Sequence, residues 1–400
     1  MSDFINATAA NRYTFDRIIQ LHSSISSPIT NSIHSINSFY KSLVSSFMDR
    51  FQDLPHDIAL QCFIRVPFNQ FHTIRSVCKA WKAEVHLPEL LRLRNSSGKA
   101  QSLVVLSQAK MNPAEKWKCS DVPVYRLVVL EPETGSWSEM PCLPEFENGL
   151  PLFCGMVAVG SDLVVMGGYG PGTWDCLNSV FIFDFLSSKW RRGADMPGGP
   201  RSFFGCAADG QRRTVFVAGG HDLEKNALKS VWAYDVAKDN WTQLPDMTKE
   251  RDECECLFYR GKFHVINGYP TNMQGQFHQS IEVFDMLARK WSESNGVLSE
   301  STDTPEICVK GTDKKLYTCR ANDVAVLEDD MWQSVTRLPA EVTNMQCLVS
   351  FLGHLLLIGT PKHGEPSNAY KMDLNKRVWT KVHVPVEYWG HIESGCCLII

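Results

Sequence analysis

Residues able to carry chemistry are scattered, not gathered, along these 400 residues. Of the fourteen cysteines, Cys254 and Cys256 form a C-x-C pair and Cys396 and Cys397 are adjacent. Neither pair is followed by a second at the spacing of a tetrahedral zinc site. The cysteines therefore read as free, mostly buried thiols of a reducing compartment, which points to the cytosol or nucleus. His221-Asp222 has the residue types of a general base and an orienting carboxylate. A turn Asp beside an exposed His gives the same dipeptide, and that is the reading adopted. Arg201, Arg251, Asp252, Asn344 and His391 offer recognition instead, since Arg is favoured at binding hot spots. No catalytic, metal or cofactor-binding residue is expected.

Hydrophobic residues make up 44% and charged residues 21%, the balance of a globular chain. A formal charge of −4 exerts no long-range pull on nucleic acid or anionic lipid. No apolar run reaches the roughly 18 residues of a membrane span, and the N-terminus lacks the charged start and apolar core of a secretory signal. Three zones follow. Residues 1–50, rich in Ser, Asn and Ile, read as a mobile lead-in with a short helix near Tyr40 to Met48. Residues 51–95 are charged, Leu-rich and helical in pattern. From residue 100 the chain reads as short β-runs broken by Gly, Pro, Asp and Asn.

A repeat dominates the last zone. Trp137, Trp190, Trp241, Trp291, Trp332 and Trp379 recur at intervals of 53, 51, 50, 41 and 47 residues. Five have an acidic residue six positions earlier, at Glu131, Asp184, Asp235, Asp285 and Asp373; the Trp332 copy is shortened. Upstream stand strands ending in glycine at Gly167-Gly168, Gly219-Gly220, Gly268 and Gly359. A period near 50 with these features resembles the kelch repeat. The resemblance implies one four-stranded propeller blade per copy. The glycines permit turns and close chain approach, the Asp closes a turn on local amides, and the Trp packs blade on blade.

The expected fold is thus an all-β six-bladed kelch β-propeller over residues 100–400, behind a small all-α module over 51–95. The first copy, from Ser102, lacks an innermost strand, whereas the chain ends in Ser394-Gly-Cys-Cys-Leu-Ile-Ile400. Residues 394–400 are therefore expected to complete the first blade and leave no open edge. Arg201, Arg251, Asp252, Asn344 and His391 fall at or just before the predicted innermost strands, where loops ring the channel mouth, and are the expected client contacts.

In the helical module, Leu54-Pro55 opens a helix and Asp57 places negative charge at its positive end. Ile58, Cys62 and Val66 form one apolar stripe, and Leu60, Phe63, Ile64 and Pro67 another. A second helix adds Phe71, Ile74, Cys78 and Trp81. So small a module cannot cover every face, and a leftover stripe marks a partner site. Leu54-Pro55, Val66-Pro67 and Val77-Cys78-Lys79-Ala80-Trp81 resemble the F-box. That resemblance implies binding of a Skp1-like linker, and through it a cullin, by Leu54, Pro55, Ile58, Leu60, Cys62, Phe63, Val66, Pro67, Val77, Cys78 and Trp81.

Residues 51–400 together look like the plant kelch-domain F-box proteins, on segments such as PLFCGMVAVGSDLVVMGGY from Pro151 and ERDEC from Glu250. Members of that group direct phenylalanine ammonia-lyase to the proteasome; relatives target chalcone synthase or type-B cytokinin response regulators. The resemblance implies a non-catalytic substrate adaptor of a ubiquitin ligase. A kelch oxidase would need clustered His and Tyr ligands with a redox-active Cys, and the twelve histidines form no such set. The F-box stands against a third class, an actin-binding or scaffolding kelch protein, which is left as a remote alternative.

Overall fold

A computed structural model describes residues 56–110, 123–294 and 307–400, apart from 279, 321, 330 and 363. The lead-in, its expected helix and Leu54-Pro55 lie outside those residues. The chain divides into a unit of residues 1–101 with 185–188 and 400, and a unit of residues 102–184 and 189–399.

The first unit holds helices α1 (His56–Phe63), α2 (Phe71–Val77), α3 (Lys79–His86) and α4 (Pro88–Ser96), with a 3-10 turn at Phe68–Gln70. Two breaks depart from the sequence reading. The helix opened before Asp57 ends at Phe63, so Val66 and Pro67 sit in the following turn. The stripe from Phe71 to Trp81 is cut at Cys78, whose extended backbone (φ −158°, ψ 171°) ends α2 and caps α3. Its Sγ accepts from the Trp81 N–H at 3.4 Å, satisfying one of the orphan donors of a helix start. Phe63, Ile64, Val66, Phe71, Ile74, Trp81, Val85 and Leu90 are buried and form the core. Each such side chain contributes roughly 1.5–3 kcal/mol of transfer free energy.

The second unit is six four-stranded antiparallel sheets. Blade 1 combines β1 (Ser102–Ala109), β2 (Tyr125–Glu131) and β3 (Ser136–Glu139) with the last strand, β24 (Ile392–Ile399). Blade 2 comprises β4 (Gly155–Val159), β5 (Asp162–Met166), β6 (Val180–Asp184) and β7 (Lys189–Gly193). Blade 3 comprises β8 (Gly205–Asp209), β9 (Thr214–Ala218), β10 (Val231–Asp235) and β11 (Asn240–Leu244). Blade 4 comprises β12 (Asp252–Tyr259), β13 (Lys262–Tyr269), β14 (Ile281–Asp285) and β15 (Lys290–Ser294). Blade 5 comprises β16 (Cys308–Lys310), β17 (Leu316–Arg320), β18 (Asp323–Glu328) and β19 (Met331–Arg337). Blade 6 comprises β20 (Asn344–Phe351), β21 (His354–Thr360), β22 (Asn368–Asp373) and β23 (Val378–Val382). Within each blade the first strand in spatial order is innermost, so β24 stands beside β1, with Val105 opposite Cys396 and Leu106 opposite Gly395.

Burial follows position in the blade. Second strands such as β1 and β5 are buried at every residue, because both sheet faces meet a neighbouring blade. Outermost strands β7, β11 and β23 share one pattern, a half-buried Trp in second place and a buried last residue. The core lies between sheets: Val164, Met166 and Ile182 of blade 2 pack on Val215, Val217 and Tyr234 of blade 3. Val104 and Leu106 of blade 1 likewise share a cluster with Leu356 and Ile358 of blade 6.

The repeated Trp and Asp have separate duties. Five indoles donate to a carbonyl at or just past the end of the outermost strand of the preceding blade: Trp190 to Pro141 (3.0 Å), Trp241 to Ala194 (2.8 Å), Trp291 to Pro245 (2.7 Å), Trp379 to Arg337 (2.9 Å) and Trp137 to His383 (3.0 Å). Among the described residues the buried Trp332 Nε1 has no such acceptor. Because Trp137 of blade 1 reaches the chain leaving blade 6, the ties run across the seam of the ring. Asp235, Asp285 and Asp373 each accept two amides of the turn that follows, at 2.9–3.1 Å. Backbone amide donors hold the Asp285 and Asp373 carboxyls below the usual carboxylate range.

Candidate functional site

The α helices leave two classes of side chain among the residues expected to meet a linker. Phe63, Val66 and Trp81 point into the helical core, with Phe63 and Trp81 edge to face at 5.3 Å. Ile58, Leu60, Cys62, Val77 and Cys78 are half-buried and Pro67 is exposed. Arg94 pins the turn that follows α1: its buried guanidinium donates to the carbonyls of Ile64 (2.9 Å) and Val66 (2.6 Å) and lies over the Phe71 ring. Burial lowers the Arg94 pKa to about 10. Of the expected residues that are described, Ile58, Leu60 and Cys62 of α1, Pro67 in the turn, and Val77 and Cys78 at the end of α2 are thus the ones with surface to spare.

On the propeller, strand alternation sends the loops between second and third strands, and the crossings from one blade to the next, to one end. Arg201, Arg251, Asp252, Asn344 and His391 are all near that end, but three of them are occupied internally. Arg201 is 1% exposed and donates to the carbonyls of Gly219 (3.1 Å) and Ser230 (3.4 Å) and to Ser230 Oγ (2.7 Å). Arg251 is fully buried, pairs with Glu282 (Nε–Oε1 3.1 Å), and donates to the carbonyls of Asn267 and Ser280. The reason lies in the glycine pairs. Gly168 N donates to the Arg201 carbonyl and Gly220 N to the Arg251 carbonyl, at 3.1 and 2.8 Å. A Cβ at Gly219 would sit 2.2 Å from the Arg251 carbonyl oxygen, so glycine lets the next blade's arginine segment pass. The two arginines therefore lock loops together and offer no surface to a client.

Asp252 is buried too, and so is His221, which was expected to be exposed; Asp222 is the turn residue the sequence implies. His221 Nδ1 meets Asp252 Oδ1 at 2.8 Å, while its Nε2 meets Tyr169 Oη at 2.8 Å, joining blades 2, 3 and 4. Asp222 instead caps its own loop, accepting from the amides of Glu224 and Asn226. Asn344 is half-buried and donates to Thr360 Oγ1 at 3.3 Å. His391 stays exposed, with Nδ1 2.9 Å from Tyr125 Oη.

Sequence reasoning missed the rings at this end. Phe153 and Phe203 occupy equivalent places at the entry to the innermost strands and stack at 4.3 Å, and Phe203 stacks on His221 at 5.3 Å. Both phenylalanines have positive φ, +54° and +55°, which bulky residues adopt only under constraint from their surroundings. Their alignment one residue after Leu152 and Ser202 was a usable signal.

The channel between the innermost strands encloses about 860 Å³ and is lined by Cys154, Cys206, Cys254, Cys256, Cys308, Cys347, Cys396 and Cys397, with Glu255 and Glu393. Burial pushes the Cys206 and Cys347 thiols up to about 12, which keeps them protonated and unreactive. It also lifts the Glu255 and Glu393 carboxyls to about 7. Among the described residues every cysteine is free, and no group of three His, Cys, Asp or Glu is placed to hold a metal ion.

Blade number, tie pattern and glycine geometry define a kelch-type propeller, and the helical unit is of the F-box type. The F-box domain model matches residues 51–93, and the KLHDC2/KLHL20/DRC7 Kelch-repeats domain model matches residues 118–319. Arabidopsis thaliana F-box/kelch-repeat protein At1g15670 is 48% identical over 360 residues, covering 88% of this chain and 100% of that protein. At1g80440 of the same plant is 46% identical over 358 residues, covering 88% and 99%, and SKIP20 is 35% identical over 287 residues, covering 62% and 67%. The chain belongs to the F-box/kelch-repeat family.

Proposed function

We propose that this chain is the substrate-recruiting subunit of a Skp1–cullin–F-box ubiquitin ligase. The observation that carries the reading is the pairing, in one chain, of an F-box-type helical unit with a closed kelch ring. Half-buried Ile58, Leu60, Cys62 and Val77 supply the apolar surface for a Skp1-like linker, and the linker in turn meets the cullin. The loop end of the propeller supplies the client surface. Neither task needs a nucleophile: holding a client near a ubiquitin-charged enzyme raises its effective concentration. Free thiols suit a reducing compartment, so the adaptor works in the cytosol or nucleus.

For the client we propose phenylalanine ammonia-lyase, which makes the chain a negative regulator of phenylpropanoid synthesis. Support comes from the resemblance of residues 51–400 to the plant group with that target. The test is the steady-state level of the lyase in plant cells expressing the chain. The lyase should fall, recover when the proteasome is blocked, and stay high with a chain lacking residues 51–95 that still captures it. A lyase level that never responds, while chalcone synthase or a type-B response regulator falls, would move the assignment to that client.

A further inference from the structure

Five of the large apolar side chains left most open to solvent stand at the loop end of blades 2, 3 and 4: Phe153 (39% exposed), Trp174 (50%), Leu223 (59%), Met273 (42%) and Phe277 (46%). They are not isolated. Trp174 packs on Tyr169, Tyr169 bonds His221, and His221 stacks on Phe203, which stacks on Phe153. From the same His221 a second branch runs through Asp252 to Glu253, whose carboxylate accepts from Tyr269 Oη at 2.7 Å, and Tyr269 packs on Phe277 at 5.2 Å. One bonded network spanning three blades thus holds the exposed rings of Phe153, Trp174 and Phe277. Buried beneath them, Arg201 and Arg251 fix the loops. A rigid, partly open aromatic surface is what a binding hot spot requires, since little freedom remains to be lost on docking.

Charge selects the occupant. Exposed Asp175, Glu224, Glu250 and Glu253 surround the rings, against exposed Lys225 and Lys229 from the same loops. The arginines that could have drawn acidic groups are buried and spent. We infer that this surface takes a client segment in which Lys or Arg flanks a bulky apolar side chain. The apolar group enters between the rings, and the cations meet the carboxylates and the Trp174 face. This rests on the adaptor reading and adds the chemistry of the recognised segment. Acidic degradation signals, phosphorylated ones included, are repelled.

The test uses the full chain bound to its Skp1-like linker and isolated with its client from plant cells under proteasome block. Photo-crosslinking residues replace Leu223 or Phe277, with Leu287, exposed at the opposite end, as control. The expected result is crosslinking from 223 and 277 but not 287, to a client peptide with Lys or Arg beside a large apolar residue. Trp174→Ala, and the reversal Glu224→Lys with Glu250→Lys, should each lower client capture at least tenfold while linker binding and melting temperature hold. Crosslinks confined to position 287, an acidic client peptide, or capture unchanged in both variants would overturn the inference and leave the adaptor role intact. A chain that binds linker yet captures no client at all would overturn both.

Discussion

Arg251 shows how one side chain can look functional in sequence and be structural in space. Its guanidinium and the Glu282 carboxylate are both within 1% of complete burial. Removing one partner leaves an uncompensated buried charge, which typically costs about 3–5 kcal/mol. Arg251→Met is expected to lower unfolding free energy by that amount in a denaturant titration; a loss under about 1 kcal/mol would contradict the lock. The sequence placed Arg201 and Arg251 correctly at the strand entries but could not tell which way their donors turn. That depends on carbonyls of Gly219, Ser230, Asn267 and Ser280, which lie 16 to 29 residues away. His221 was harder still, because its acid is Asp252, 31 residues on, and not the adjacent Asp222. The turn aspartates were legible because the amides that donate to them are two and three residues distant.

Glu393 carries a pH dependence that can be read by sign. Its carboxyl, raised from 4.5 to about 7 chiefly by burial, accepts from Phe153 N at 3.0 Å and Ser107 Oγ at 3.3 Å. The folded state holds this proton more tightly than the unfolded chain, so stability falls as pH rises from about 4.5 to about 7 and levels off above. Glu393→Gln should therefore raise the melting temperature at pH 8 relative to wild type and leave it nearly unchanged at pH 4.5. An equal shift at both values would show that the proton is not responsible.

At the scale of elements, β24 bears the greatest consequence. It supplies the innermost strand of blade 1 and pairs with β1, every residue of which is buried. Deleting residues 394–400 exposes that apolar edge, and the truncated chain is expected to aggregate or to lose its cooperative melt. A wild-type melting temperature would contradict the pairing. The helices were less legible than the strands. A stripe at offsets of three and four runs through Cys78 without a break in pattern, although the backbone there is extended. Periodicity reports which residues want burial, whereas a cap is decided by local donors, here the Trp81 amide. For the same reason Val66, grouped by spacing with Ile58, proves to be core. An acidic residue at 66 would unfold the helical unit, so only Ile58 tests the docking face cleanly.

On the scale of the molecule, the sixfold repeat made the propeller visible in advance. A period near 50 with a late Trp survives even where the copy before Trp332 has lost part of its turn. What the repeat could not convey is how blades 2 to 4 differ from the rest. That difference resides partly in Trp174 and Phe277, which stand in loops where the repeat imposes no pattern, and partly in Phe153 and Phe203, whose equivalent places carry rings only in blades 2 and 3. The whole account requires that a helical unit with apolar surface to spare dock a linker while the ring stays intact. The direct measurement is co-elution of the purified chain with a Skp1-like linker on size exclusion, beside Ile58→Asp. The account predicts a stable complex for the wild type, none for Ile58→Asp, and the same sheet melting for both. Failure of the folded wild-type chain to bind the linker would contradict it.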